Sequence, residues 1–167
     1  MRSLTHFQLK ADVSDTLEAS IATDNPFLRL FTAFPHVTHF SLKGNCVDNC
    51  DVDAAVARLV ENCPLLEDLF LSRCKMTDES LEQLATLHHL KRLVLLSTYG
   101  QFTFDGVRLL LQGASRHTLT SIQLRRPYGN NQVFLQEIRN VSQETGRRSM
   151  IAFSSHSGHH SMSVIFH

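Results

Sequence analysis

One arrangement of apolar residues recurs along this chain: an apolar residue, a second three places on, and a third two places after that. The instances are Leu4/Phe7/Leu9, Val37/Phe40/Leu42, Leu66/Leu69/Leu71, Leu90/Leu93/Leu95 and Leu119/Ile122/Leu124, with a degraded sixth at Arg148/Ile151/Phe153. Their first positions lie 33, 29, 24, 29 and 29 residues apart. Self-similarity at this period marks a solenoid, in which each unit buries its apolar face only by stacking on a neighbour. A solenoid has no single catalytic cleft. It presents a long repeated surface, and such surfaces mostly bind other macromolecules.

The clearest unit runs from Cys63 to Leu87. Leu69 and Leu71 are two apart, the spacing of side chains on one face of a strand. Cys74, three places after Leu71, is a small residue where the chain turns away. Thr77 or Asp78 then supplies an N-cap oxygen for an orphan helix amide. Leu81, Leu84 and Leu87 follow as one apolar helix stripe that faces back onto the sheet.

The other units vary this theme. The turn position is Asp12, Asn45, Cys74, Thr98 and Pro127 in order, and Pro127 alone cannot bond the turning backbone. Helices are expected at about 51–62 (Ala55, Val56, Leu59 and Val60 inward) and 104–113 (Val107, Leu110, Leu111). A further helix is expected over 131–145 (Phe134, Ile138, Val141), stopped by Gly146 as a C′ glycine. Pro26 divides the longest connection into two short helices, about 14–23 and 26–33. Alternating strands and helices at this period give parallel strands in one curved sheet with helices outside.

The stretch Cys63-Pro64, Leu66, Leu69, Leu71, Cys74, Met76-Thr77-Asp78 resembles the leucine-rich repeat family, and within it the cysteine-containing subclass. That subclass and the similar ribonuclease-inhibitor-like repeats are common in F-box proteins, the substrate receptors of SCF ubiquitin ligases. The resemblance implies an α/β fold: a right-handed leucine-rich-repeat solenoid, or horseshoe arc, with a parallel β-sheet on the concave side and helices on the convex side. It spans about residues 1–153 in five to six repeats, leaving a Ser/His-rich tail at 154–167. It implies a non-catalytic protein-interaction module that selects substrates for ubiquitin-dependent degradation. SCF components would then be met through a region absent from this chain. The alternative is a stand-alone leucine-rich-repeat scaffold or enzyme-inhibiting regulator without a ligase link. No capping segment precedes the first triple, so the array is expected to be cut from a longer chain or to be covered by a partner.

Sixteen basic and sixteen acidic residues cancel, so the electrostatic footprint of a nucleic-acid binder is absent. No apolar run reaches membrane-spanning length, and the N-terminal segment has no secretory h-region. An intracellular protein, cytoplasmic or nuclear, with reduced cysteines is therefore expected.

If each triple faces the core, the residues between face the concave side. The first row reads His6, His39, Asp68, Arg92, Ser121. The second reads Gln8, Ser41, Phe70, Val94, Gln123, and the third Lys10, Lys43, Ser72, Leu96, Arg125. Phe70, Val94 and Leu96 are apolar on adjacent strands, and a contiguous exposed apolar patch marks a contact site. Lys10, Lys43, Arg73, Arg92, Arg125 and Arg126 surround it with positive charge. The expected site is Phe70, Arg73, Arg92, Val94, Leu96, Gln123, Arg125 and Arg126, binding a protein segment with an apolar anchor and acidic flanks. The competing explanation is that Phe70 and its neighbours pack together or under a terminal segment.

Cys46, Cys50, Cys63 and Cys74 include only one pair with zinc-knuckle spacing, and the repeat accounts for Cys63 and Cys74. His156, His159, His160 and His167 lie in the tail, where a flexible end competes with a His-rich metal tract, and Ser161–His167 alternates as a last edge strand would. No cofactor, metal or catalytic residue is expected. No P-loop, dinucleotide glycine pattern or HExxH occurs, and nothing ties a cysteine to a particular histidine as base.

Overall fold

The structure, a computed structural model, describes residues 5–10, 35–43, 53–72, 76–96, 102–125, 131–156 and 159–167. These form a mixed α/β fold. Seven strands make one open sheet: β1 (His6–Lys10), β2 (His39–Lys43), β3 (Asp68–Ser72), β4 (Arg92–Leu96), β5 (Ser121–Arg125), β6 (Ser149–His156) and β7 (His159–Phe166). Four helices connect with them: α1 (Asp53–Asn62), α2 (Asp78–Leu84), α3 (Phe104–Gln112) and α4 (Asn131–Thr145). The strand order is β1-β2-β3-β4-β5-β7-β6.

The first five strands are parallel and in step, so that Phe40, Leu69, Leu93 and Ile122 align, as do Leu71, Leu95 and Leu124. These side chains are buried with Val56, Leu59, Leu81, Leu84, Val107, Leu110 and Ile138 of the helices. One backbone device fixes the register at every step. The Thr5 carbonyl accepts from the amides of Thr38 and His39, and the Thr38 carbonyl from those of Glu67 and Asp68. Glu67 does the same for Lys91 and Arg92, and Lys91 for Thr120 and Ser121. Each accepting carbonyl sits one residue past the first apolar position of its triple, or at the same offset, so the bonds recur with the apolar pattern.

The helix starts are linked across the fold by carboxylates. Thr77 is the N-cap of α2, accepting from the Glu79 amide at 3.2 Å. Its own amide and hydroxyl donate to Asp53 at 3.0 and 2.6 Å, and Ser80 donates to the same carboxylate. One unit on, the amide and hydroxyl of Thr103, the N-cap of α3, donate to Asp78 at 2.6 and 2.8 Å. Gly106 faces Asp78, and a β-carbon there would land on the carboxylate. Helix α2 is shorter than the apolar stripe Leu81, Leu84, Leu87 expected for it. It ends at Leu84, and Thr86 and Leu87 donate three residues back, to Gln83 and Leu84, which tightens the last turn. Helix α4 follows its expected bounds, and Gly146 takes the positive φ of 67° that suits glycine after a helix.

The degraded sixth triple departs from the expected parallel array. Strand β6 is not beside β5; β7 lies between them, antiparallel to both. The physical reason lies at the positions the sixth triple fails to supply. Arg148 stands where the other units carry an apolar residue, and it is exposed. Strand β7 brings Val164 opposite Ile122 and buries both Val164 and Phe166. The boundary drawn at residue 153 thus falls inside β6, and the strand expected over 161–167 is β7, an inner strand rather than an edge. Arg147 fastens this corner. Its guanidinium donates to the carbonyls of Leu119 at 2.7 Å and of His117 and Phe166 at 3.3 Å, and lies 5.3 Å from the Phe166 ring centre.

The turn residues Asp12, Asn45, Cys74, Thr98 and Pro127, the helices expected over 14–23 and 26–33, and Cys46 and Cys50 lie outside the described residues. Cys63 is buried in the core, and that burial pushes its thiol pKa up. Among the described residues no helix is long and apolar enough to cross a membrane.

Candidate functional site

Because strand side chains alternate, the face turned away from the helices carries the residues between the apolar positions. The register lays them out in rows. The first is His6, His39, Asp68, Arg92, Ser121, and the second Gln8, Ser41, Phe70, Val94, Gln123. The third places Lys10, Lys43, Ser72 and Leu96 in line.

The first row is a connected polar chain. The rings of His6 and His39 stack with centres 4.0 Å apart and planes inclined by 17°. His39 Nε2 donates to Asp68 Oδ2 at 2.7 Å. Arg92 grips the same carboxylate with two donors, Nε to Oδ1 at 2.7 Å and Nη2 to Oδ2. That bidentate bond is the main cause holding the Asp68 carboxyl below the usual carboxylate range. Burial opposes it as the next largest effect, and the charges of Arg92, His39 and Lys91 add to the lowering. Asp68 in return holds the Arg92 proton more firmly. Beside this chain, Lys91 Nζ meets Glu67 Oε2 at 2.8 Å.

Below the polar row lies a hollow of about 710 Å³. It is lined by His6, His39, Asp68 and Arg92 of the first row, Phe70 and Val94 of the second, and Lys43 of the third. Phe70 and Val94 are half-buried and directly paired across β3 and β4. Lys43 is exposed, whereas Ser72 in the same row is buried.

Of the residues singled out from the sequence, Phe70, Val94 and Arg92 line this hollow. Leu96 and Gln123 are half-buried neighbours in the rows, Leu96 beside Ser72 and Gln123 beside Val94. Arg125 ends β5, and its side chain lies outside what the structure describes, as do Arg73 and Arg126 altogether. Arg92 is paired with Asp68, which accepts from two of its guanidinium donors in a fork. His39, Asp68 and Lys43 were placed in the rows but not in the expected site; their positions between apolar residues were the only available signal. Among the described residues no group of three or more His, Cys, Asp or Glu side chains is placed to hold a metal ion.

No family model matches this sequence, and no curated protein matches it either.

Proposed function

We propose that this chain is a leucine-rich-repeat solenoid acting as a non-catalytic protein-binding module, whose contact surface is the row face of the sheet. The observation that carries the reading is the recurrence of one doubly accepting carbonyl at Thr5, Thr38, Glu67 and Lys91, in phase with the apolar triples. Units that repeat both their core and their backbone bonding form a stacked array, and the residues between become a continuous surface. A partner segment seats an apolar side chain on Phe70 and Val94 and offers an acidic flank to Lys43. His39 supports binding rather than proton transfer: Asp68 engages Nε2, and Thr38 Oγ1 lies 2.8 Å from Nδ1. The resemblance at residues 63–78 further supports a role as the substrate-recognition region of an F-box-type receptor in an SCF ubiquitin ligase.

The test compares proteins captured from cells by the unmodified chain with those captured by Phe70→Asp and by Lys43→Glu, each shown folded by circular dichroism. Partners lost from both variants support the binding face, whereas unchanged capture overturns it. Blocking cullin activation should then raise the cellular level of those partners. Unchanged levels would replace the ligase role with that of a scaffold or regulator.

A further inference from the structure

The two edges of the sheet are unlike. Strand β1 forms one edge with five residues and ends on Lys10. Strand β6 forms the other with eight, and between Ser149 and His156 there is no Lys, Arg, Asp, Glu or Pro. Those are the residues by which proteins blunt an edge against pairing with another strand. Within the described residues β6 pairs on one side only, with β7.

The direction of the uncommitted groups on β6 follows from its ladder. Arg148 and His167 exchange two backbone bonds, at 3.3 and 2.8 Å, so they are a hydrogen-bonded pair. In an antiparallel ladder such pairs alternate with non-bonded ones. The pairs Met150↔Ile165, Ala152↔Ser163 and Ser154↔Ser161 therefore bond inward. At Ser149, Ile151, Phe153 and Ser155 the amide and carbonyl point away from β7, toward the outer edge. These four positions are symmetric about residue 152.

We infer that two copies of this chain join edge to edge through β6, antiparallel about a twofold axis at Ala152. In that register Ser149 meets Ser155 of the second copy, and Ile151 meets Phe153. All four outward residues are used, giving about eight backbone bonds between the copies. Other antiparallel registers leave some of these groups unpaired. From Ser149 to Ser155 every cross-strand pair in the register is uncharged, so no like-charge contact opposes these pairs. The sheet becomes continuous through both copies, and the interface is isologous.

Sedimentation equilibrium of the unmodified chain should give twice the chain mass at high concentration and fall toward the chain mass on dilution. Ala152→Lys and Ala152→Glu each set like charges opposite one another at the axis, and each should abolish the dimer. Mixing the two variants should restore it, because the opposing charges are then unlike. Ser155→Pro removes an outward amide and no β7 bond, and should weaken the dimer without lowering the unfolding midpoint of the monomer. An unmodified chain that stays monomeric at every concentration overturns the proposal. So does a Lys/Glu mixture that remains monomeric while Ser155→Pro dimerises normally.

Discussion

The five parallel strands and the C-terminal hairpin each cover an apolar sheet edge, by different means. Each parallel strand arrives through a crossover, and its register is set by one carbonyl accepting two amides from the next strand. The hairpin strand β7 reverses direction and slips between β5 and β6, held there by Val164, Phe166 and the grip of Arg147. In the first region the fold is assembled from equivalent neighbour contacts. In the second, two antiparallel ladders and two buried side chains are joined by one charged side chain that reaches several carbonyls. Regularity spreads stability over many similar contacts, while an irregular end concentrates it in a few.

The largest expected effect lies in the regular region. Leu71→Ala empties a buried position in the middle of the sheet and should cost about 2–5 kcal/mol in urea unfolding. A loss under about 0.5 kcal/mol would mean that Leu71 is not in the core. Arg147→Ala should cost less, about 1–3 kcal/mol, by leaving the carbonyls of Leu119 and Phe166 without this donor. Its signature in hydrogen exchange is faster exchange over 162–166 with unchanged protection over 68–72. Equal acceleration of both regions would show that the two regions unfold as one.

The smallest effect tests the polar row. Asp68→Asn should cost about 1 kcal/mol near neutral pH, since Arg92 is largely solvated. The folded Asp68 carboxyl titrates below its unfolded value. The stability it confers is therefore fully present above the ordinary carboxylate pKa of about 4 and fades as pH falls through the lowered one. Unfolding midpoints of the two proteins should converge in that acid range; a gap that persisted there would mean the ion pair is not its source.

Much of the regular region was legible in the sequence, because its information is periodic. Leu66, Leu69 and Leu71 announce their burial through spacing, Thr77 its cap through residue type, and Gly146 its turn. What escaped was pairing between distant polar residues. Asp78 read as an alternative N-cap to Thr77 and Asp53 was not singled out, yet each is the acceptor for the next helix's capping threonine. Asp68 was placed in the first row beside Arg92, and the sequence did not show that its carboxylate accepts two of the Arg92 donors. The insertion of β7 also escaped, because alternation over 161–167 predicts a last strand but not that it lies between two others. At the candidate site, Phe70, Arg92 and Val94 were found from alternation alone, while the stacked His6–His39 pair needed the register.

The reversal at β7 has a consequence for how such a chain could change in length over its history. The side of β5 where a further parallel strand would dock is taken by a strand running the opposite way. Added units cannot simply be appended behind β5. A gene duplication that lengthened the array while keeping this ending would have to insert its new strand and helix upstream, among the units already in step.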